Sequence, residues 1–320
     1  MISLPDFKEK QILCVNTLYD QKASIQFSND NIVFLKDDKV VNRASCHKVF
    51  VIFIAGDISI TSRIIKEGLS HGISFFLMKH NFETYAEIPA KAEGNYLLRM
   101  KQYSFDEDFD LMVSKNLVKN KIENQLLLLK NYDLIQDLNE IKNPIFKQID
   151  EVRDNQEILG IEGSMSRRFF AMYFAKIGWY KRMPRVKPDA INVLMDMGYI
   201  YLFNFIDSIL RLHGFDTYKG HYHKLFFQRK SLSCDIIEPF RCIIDRQILK
   251  SFNLKQINLK DFKVVNKKVV LDFEHSKKYS EIFFEAIMEN KEEIFSFVQK
   301  FYRFIMDQKK EFPEFKIKIK

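Results

Sequence analysis

Acidic and histidine side chains concentrate at three places in the second half of this 320-residue chain. Glu162 lies between two glycines just before a predicted helix, and His221 and His223 form an alternating pair in a loop. Asp235 and Glu238 are three residues apart, so a helix would place both carboxylates on one face. Carboxylates and imidazoles can ligate a divalent metal ion or transfer protons, so these are the candidate catalytic residues.

Each of the three places also has a purely structural interpretation. An acid at a helix start, such as Glu162, commonly balances the helix dipole or caps the helix. A histidine pair is commonly ordinary polar surface, and Asp235 followed by Glu238 resembles a capping box. The residue types alone therefore leave a metal site and a capping arrangement both open.

Several other kinds of chemistry lack a motif in the sequence. The spacing of a closed tetrahedral zinc site is not found among the candidate ligands Cys234, Cys242, His221 and His223. The patterns GxxxxGK[ST], GxGxxG and GxSxG are all absent from the chain. Structural zinc, nucleotide-driven chemistry and serine hydrolysis are therefore disfavoured.

The elements that must position these residues change in type along the chain. Short β-branched and aromatic runs predict strands at 12–15, 23–27, 31–35, 49–53 and 73–78, with one helix at 59–70. Pro89 and Gly94 punctuate the end of this region, so we expect a domain boundary there. Beyond residue 105 or so, a period of 3.6 predicts helices at 109–132, 166–178, 188–213, 234–252 and 281–309.

Together these patterns predict an α+β fold with two domains. A small N-terminal β-rich domain, residues 1–90, precedes a larger, mostly α-helical catalytic domain, residues 91–320. A hairpin is expected at 264–271. The last residues, 315–320, alternate apolar and basic side chains, so they form either a frayed tail or a strand that joins a partner's sheet edge.

The net charge is distributed unevenly. The chain has 50 Lys and Arg against 42 Asp and Glu, a formal charge of +8. Residues 1–90 carry ten of each sign, whereas residues 161–230 carry twelve basic and five acidic residues, a net of +7. A basic block that contains Glu162 and His223 fits a polyanionic partner, and a solvated face is the alternative interpretation.

The sequence also favours a soluble protein of the cytoplasm. The longest apolar run, Val49–Ala55, is too short to span a bilayer, and no secretory signal follows Met1. Four cysteines without CxxC spacing do not make a disulfide framework. We therefore expect a reducing compartment and no membrane.

In order and spacing, these motifs resemble those of the CRISPR-associated adaptation integrases, the Cas-one family. The similarity is carried by GIEG at 160–163, DAINVLM at 189–195, GFD at 214–216, GHYH at 220–223 and SLSCDIIEPFR at 231–241. Upstream, GNYLLR at 94–99 and KIENQ at 121–125 also look like that family. The resemblance covers nearly the whole chain and is most specific from residue 159 to 245.

The resemblance implies a metal-dependent catalytic site. Glu162, His223 and Glu238 match the family's divalent-metal ligands, Asp235 matches the nearby catalytic acid, and His221 takes a non-ligand position. Two carboxylates and one imidazole suit magnesium or manganese. The implied reaction is transesterification, in which the 3′-hydroxyl ends of spacer-precursor DNA are joined into the CRISPR repeat, with an associated DNA endonuclease activity.

The resemblance also implies partners and a location. The implied partners are double-stranded DNA and the Cas-two protein. The chain would form a homodimer through residues 1–90, and two such dimers would assemble on a Cas-two dimer. The implied location is the cytoplasm of a prokaryote. The candidate DNA-binding residues are Arg167, Arg168, Lys181, Arg182, Arg185, Lys187 and Arg241. Two alternatives stay open: a non-enzymatic, basic, helical DNA-binding scaffold, and a general metal nuclease that cleaves DNA without joining ends.

Overall fold

The computed structural model describes residues 4–17, 22–79, 84–90, 95–179, 181–184 and 186–319. Its strands are β1 (Gln11–Asn16), β2 (Ala23–Ser28), β3 (Asn31–Lys36), β4 (Lys39–Ser45), β5 (Val49–Ala55), β6 (Ser59–Ile60), β7 (Ser74–Met78), β8 (Thr84–Ile88), β9 (Phe262–Val265) and β10 (Lys268–Leu271). Its helices are α1 (Leu4–Lys8), α2 (Ser62–Ser70), α3 (Tyr96–Ser104), α4 (Glu107–Asn131), α5 (Leu138–Glu151), α6 (Asn155–Tyr173), α7 (Ala190–Leu212), α8 (Ser231–Ile236), α9 (Arg241–Asn253), α10 (Ser276–Glu289) and α11 (Lys291–Met306). A β-rich N-terminal region followed by a helical region confirms the expected α+β class.

Two four-stranded sheets make up the N-terminal region. In the first, with order β1-β5-β7-β8, β1 and β7 run parallel to β5 and β8 runs antiparallel to β7. In the second, with order β4-β3-β2-β6, β2, β3 and β4 form an antiparallel meander. Its tight turns place Asn29, Asp30, Asp37 and Asp38 at positive φ, which Asn and Asp tolerate well.

Strand β5 is the centre of the fold, and all seven of its residues are buried. Phe53 on one face packs against Tyr201 of α7 and Phe284 of α10, with ring centroids 5.1 and 5.5 Å away. Ile52 and Ile54 on the other face belong to a second core with β2 and α2. One hydrophobic core therefore joins the first sheet to the helices, and the domain boundary at residue 90 stays a prediction.

Helix α7 runs through the middle of the helical region. It is long and apolar enough to cross a membrane, yet 83% of its apolar window is buried inside the protein. Its Gly198 permits close packing, since a Cβ there would lie 2.5 Å from Ile244 of α9 and 3.0 Å from Phe283 of α10. We therefore interpret α7 as a core helix.

Helix α6 begins much earlier than the sequence pattern predicts. Asp154 caps it, because its carboxylate accepts two N–H groups of the first turn at 2.8 and 2.9 Å. Gly160 and Gly163 consequently lie inside the helix, where each glycine costs about 1 kcal/mol relative to alanine. The interpretation of Glu162 as an acid at a helix start is therefore wrong.

Two predicted helices are each divided in two. The helix expected at 234–252 is split into α8 and α9 by a 3-10 turn at Glu238–Phe240, since Pro239 supplies no N–H to continue an α-helix. Asp235 and Glu238 thus lie in different elements. The helix expected at 281–309 is split at Asn290, whose side chain donates to the carbonyl of Ala286 at 2.8 Å and ends α10.

Other predictions of local structure are mostly confirmed. The five predicted strands correspond to β1, β2, β3, β5 and β7, and the hairpin to β9 and β10. The helix expected at 59–70 begins only at Ser62, because Thr61 caps it and the two residues before form β6. The sequence pattern does not predict α3, α5, β4 or β8.

The C-terminal segment, residues 311–319, lies extended along helix α4 of its own chain. Asn120 donates to the carbonyl of Phe315 at 2.8 Å and accepts the Phe315 N–H at 3.0 Å. One turn further, Asn124 accepts the Ile317 N–H at 2.8 Å. Phe315 is buried against Phe240, with ring centroids 4.6 Å apart. The frayed tail is therefore wrong for the described residues, because Phe315 and Ile317 are bonded to α4 through their main chain. The alternative, a strand that joins a partner's sheet edge, stays a prediction.

Truncation of the Phe315 side chain should destabilise the protein. We expect Phe315→Ala to lower the free energy of unfolding by about 3–4 kcal/mol, because it leaves a cavity beside α4. Urea unfolding followed by circular dichroism measures this loss. Lys316→Ala, on the exposed side of the same segment, is the matched control, with an expected change of about 0.5 kcal/mol or less. Equal unfolding midpoints for the two variants would contradict the docked position of the segment.

Candidate functional site

Glu162 and Glu238 meet at a single ammonium group. Glu162 lies on α6, Glu238 lies in the turn between α8 and α9, and Lys121 lies on α4. The Lys121 Nζ donates to Glu238 Oε2 at 2.7 Å and also contacts Glu162 Oε1. Ser166, one turn beyond Glu162, donates its hydroxyl to Glu162 Oε1 at 2.7 Å. Three distant parts of the chain thus bring two of the predicted metal ligands to one point of positive charge.

Two cations hold Glu238 ionised in spite of its burial. The residue is only 6% exposed, and Arg241 Nε donates to its Oε1 at 3.1 Å. Burial by itself would raise the pKa of Glu238, but Arg241 and Lys121 outweigh that effect and lower the pKa to about 2. Burial would likewise lower the pKa of Lys121, but Glu238 and Glu162 leave that pKa raised. Glu238 and Lys121 are therefore both charged at neutral pH.

Loss of the Glu238 charge should change the acid dependence of stability. Because its folded pKa of about 2 lies below the ordinary value of 4.5, the ionised carboxylate contributes stability that is complete above pH 4.5 and is lost as the pH falls toward 2. Between pH 5 and pH 3 we expect the wild type to lose about 2 kcal/mol more than Glu238→Gln. Urea unfolding in EDTA at each pH tests this, and parallel curves for the two proteins would refute it.

Asp235 organises the loop that carries His221 and His223, residues 220–223, which we call the histidine loop. Its fully buried carboxylate accepts the backbone N–H groups of His221, Tyr222 and His223 at 2.6, 3.0 and 2.8 Å. It also bonds the ring Nδ1 of His223 at 2.7 Å. Gly220 is required beside it, because a Cβ there would lie 2.7 Å from Asp235 Oδ2. One side chain of α8 thus fixes both the backbone and the ring orientation of this loop.

The contact with Asp235 determines which nitrogen of His223 is available to a ligand. Since an ionised carboxylate only accepts, the bond to Asp235 needs a proton on Nδ1, and in the neutral ring with that tautomer Nε2 is the nitrogen that has a lone pair. A carboxylate in this position commonly orients a histidine that binds a metal. The structure thus places Asp235 behind His223 as a positioning residue, and its catalytic role stays a prediction. His221 is buried and bonds Asp110 Oδ1 at 2.5 Å through Nδ1.

The donors present are chemically suitable for magnesium or manganese. Two carboxylates and one imidazole nitrogen are ligands that these ions accept. In the part of the chain that the structure describes, no three His, Cys, Asp or Glu side chains are arranged to hold a metal together. The Lys121 ammonium instead provides the cation between Glu162 and Glu238. A metal would therefore have to displace this ammonium.

A cavity of about 390 Å³ opens beside the two acids. Its wall includes the rings of Phe170 and Tyr199. Gly163 also borders it, and a Cβ there would meet no atom within 4 Å. The basic residues in the wall are Lys121, Arg167, Lys181, Arg182 and Arg241. Glu162 and Glu238 lie close together and basic side chains surround them. Such an arrangement suits an enzyme that transfers phosphodiester bonds.

Three of the predicted DNA-binding residues form no ion pair with any other residue that the structure describes. Arg167, Arg168 and Lys181 are exposed, and Arg167 and Lys181 border the cavity. Their side chains can neutralise a nucleic acid without first breaking a buried ion pair.

The other predicted DNA-binding residues are placed differently. Arg182 and Lys187 both pair with Asp196, Lys187 at 3.0 Å, and Arg241 pairs with Glu238. Arg185 lies outside the residues that the structure describes. Arg182 and Arg241 line the wall of the cavity. The contact of the three paired cations with DNA stays a prediction.

Sequence reasoning missed several residues of this site. Lys121 stands in the KIENQ stretch at 121–125, and no local pattern indicates that it joins two acids. The guanidinium groups of Arg182 and Arg241 both lie over the ring of Tyr199, 5.6 and 4.7 Å from its centroid. Its hydroxyl donates to Asp245 at 2.5 Å, and burial raises the pKa of Asp245 to about 7. The only signal for Asp245 was its helical spacing from Arg241.

Comparison with known proteins finds relatives in both sequence and fold. The CRISPR-associated endonuclease Cas1 1 of Thermodesulfovibrio yellowstonii is 27% identical over 231 residues, which cover 66% of this chain and 71% of that protein. A Cas1 protein from Thermotoga maritima has the same fold, with a TM-score of 0.82 at 18% identity over 97% of this chain and all of that one.

Two further solved structures share the fold. A casposase bound to its integration product gives a TM-score of 0.80 at 17% identity, with 96% of this chain and 94% of that chain covered. A chain of a Cas6-RT-Cas1--Cas2 complex gives 0.76 at 22% identity, with 94% of this chain and 35% of that chain covered.

A sequence profile of the whole family matches most of the chain. The profile is described as CRISPR associated protein Cas1 and matches residues 17–285. The match includes Lys121, Glu162, His223, Asp235 and Glu238. This chain therefore belongs to the Cas1 family.

Proposed function

We propose that the chain is a metal-dependent DNA endonuclease and integrase of CRISPR adaptation, which joins the 3′-hydroxyl ends of spacer-precursor DNA into the CRISPR repeat. Glu162, Glu238 and His223 would hold magnesium or manganese. Relatives named as endonucleases, and the shared fold of a casposase bound to an integration product, support DNA as the substrate.

One observation carries the proposal. Glu162 and Glu238 converge on a single cationic position beside a cavity whose rim has the exposed cations Arg167 and Lys181. Two acids brought together in a half-buried site are costly unless a cation lies between them. Enzymes that transfer phosphodiesters need such a cation position next to a surface that attracts the nucleic acid backbone.

The reaction would exchange one phosphodiester for another. A bond forms between the attacking 3′ oxygen and phosphorus, and the bond from phosphorus to the leaving 3′ oxygen breaks. The attacking hydroxyl loses its proton and the leaving oxygen takes one up from solvent to become a 3′-hydroxyl. The bound metal would polarise the phosphate and stabilise the charge of the transition state. Arg167 and Lys181 would neutralise neighbouring phosphates, and Asp235 would keep Nε2 of His223 in a fixed direction.

The partners are part of the same proposal. We propose that the chain binds double-stranded DNA, forms a homodimer through residues 1–90, and assembles as two dimers on a Cas2 dimer. The fold shared with a chain of a Cas6-RT-Cas1--Cas2 complex supports a Cas2 partner. We further propose that it acts in the cytoplasm of a prokaryote, where its four cysteines, Cys14, Cys46, Cys234 and Cys242, would stay as reduced thiols.

The proposal is tested with labelled spacer-precursor DNA and a plasmid that carries a CRISPR repeat, in manganese, magnesium or EDTA. Wild type should form joined products only with metal. Glu162→Gln, Glu238→Gln and His223→Ala should each lose joining by at least about 100-fold while DNA affinity changes little. Glu157→Gln, an exposed acid on the same helix α6, is the matched control and should retain activity.

Other outcomes favour the alternatives. Cleavage without joined ends would indicate a general metal nuclease. A DNA-binding scaffold would be indicated if the wild type and the three variants all bind DNA tightly and in a salt-sensitive way but form no metal-dependent product. Full activity of all three variants would refute the assignment of the ligands.

A further inference from the structure

Three consecutive apolar side chains stand exposed directly after the histidine loop. Leu225, Phe226 and Phe227 are 65%, 73% and 82% exposed. In the described part of the chain, no other large hydrophobic side chain is as exposed as Phe226 or Phe227. A contiguous apolar group on a protein surface is unfavourable in water and commonly marks a binding surface.

The protein holds these side chains on an ordered turn. Ser231 donates its hydroxyl to the carbonyl of Lys224 at 3.1 Å, and the Arg229 N–H donates to the carbonyl of Phe226 at 3.0 Å. Gln228 closes the turn at a φ of +57°. Upstream, the backbone of His223 is fixed by Asp235. The rings are therefore presented to solvent by a backbone that is bonded at both ends.

The sequence around this aromatic turn, residues 224–229, is basic. Lys224 is exposed and Arg229 half-buried at its two ends, and no acid occurs in sequence between Asp216 and Asp235. Aromatic faces flanked by cations are the surface that unpaired nucleic acid bases and their phosphates bind. An acidic or neutral partner protein would need no such combination beside His223.

We propose that Phe226 and Phe227 stack on an unpaired nucleobase at the end of the DNA, while Lys224 and Arg229 neutralise its phosphates. The inference rests on the proposed function, because it takes the strand end at His223 to be DNA. The aromatic turn would thus select frayed or single-stranded ends over blunt duplex. Each stacked base contributes enough to change affinity by about tenfold.

Direct stacking is measured with 2-aminopurine placed in turn at each base of a short 3′ overhang on a synthetic duplex. The full-length wild type should quench one or two positions and bind the overhang duplex more tightly than the same duplex with blunt ends. The double variant Phe226→Ser and Phe227→Ser should lose the quenching and about tenfold or more in overhang affinity, with blunt-end affinity unchanged. Tyr96→Ser, an aromatic on α3 that is 68% exposed, is the matched control and should behave as wild type.

A conservative pair of changes guards against a folding defect. Phe226→Tyr with Phe227→Tyr retains two rings and should retain both quenching and affinity. Unchanged quenching in the serine variant, in a wild type that binds DNA, overturns the inference and leaves the proposed function intact. A serine variant altered only in self-association or in binding to anionic lipid vesicles also overturns it. A wild type that binds neither DNA overturns the proposed function itself.

Discussion

The Lys121→Met variant should be about 3–5 kcal/mol less stable than the wild type in EDTA, since it leaves two acids facing each other around a missing cation. In the structure Lys121 is the shared partner of Glu162 and Glu238, and both acids are largely enclosed. Methionine fills a similar volume without charge, so the loss measures the missing ammonium. Urea unfolding in EDTA gives the free energy difference.

Manganese should reverse most of this loss. A metal that binds the folded protein stabilises it by about 2.7 kcal/mol at a hundred times its dissociation constant. In Lys121→Met the ion meets an empty position, whereas in the wild type it must first displace the ammonium, so the variant should gain more stability from manganese. Lys119→Met on the same helix, which loses an exposed pair with Asp150, is the control, with an expected loss of about 1 kcal/mol or less. Equal stability of Lys121→Met and wild type in EDTA would show that the acids do not depend on this lysine.

The Asp235→Ala variant should lose activity as completely as His223→Ala. The change removes the acceptor of three loop N–H groups and of the His223 ring, and leaves buried donors without partners. Each buried donor left unpaired costs about 1–3 kcal/mol, so we expect a loss of at least about 3 kcal/mol in stability as well. DNA joining and urea unfolding measure the two effects.

Asparagine at position 235 should not rescue the loop. The carboxylate uses Oδ2 for His221 and Tyr222 and Oδ1 for His223, and an amide would turn a donor toward one of these sets. Asp272→Ala, which removes an exposed pair with Lys263, is the control and should leave activity unchanged. An Asp235→Asn variant with normal activity would contradict the positioning role.

Local patterns predict the parts of this fold whose causes are local. Alternating β-branched residues and Asn or Asp turns predict the strands and the β9–β10 hairpin, because strand and turn preferences act over a few residues. They fail where a single side chain changes the element. Pro239 breaks one predicted helix. Asp154 caps α6 much earlier than predicted, so the helix continues through Gly160 and Gly163, and these two glycines are the reason that the sequence pattern places a helix start at Glu162.

The candidate site is predicted in its parts but not in its connections. The resemblance supplied Glu162, His223 and Glu238, and the structure places Glu162 and Glu238 together on Lys121. The ammonium of Lys121 is invisible to the sequence pattern, because its partners lie 41 and 117 residues away. For the same reason the sequence does not predict that Phe315 packs on α4. Asn120 and Asn124 are 195 and 193 residues away from the main-chain groups that they bind.

The bonds between α4 and the C-terminal segment also govern how freely that segment can drift in sequence. Asn120 and Asn124 bind main-chain groups of Phe315 and Ile317, and every residue type except proline supplies both of these groups. The two asparagines of α4 therefore bind an extended backbone that has an apolar side chain at every second position. They place no constraint on the side chains of the intervening lysines. Substitutions should accumulate at 316 and 318 long before they are tolerated at the two asparagines one helical turn apart.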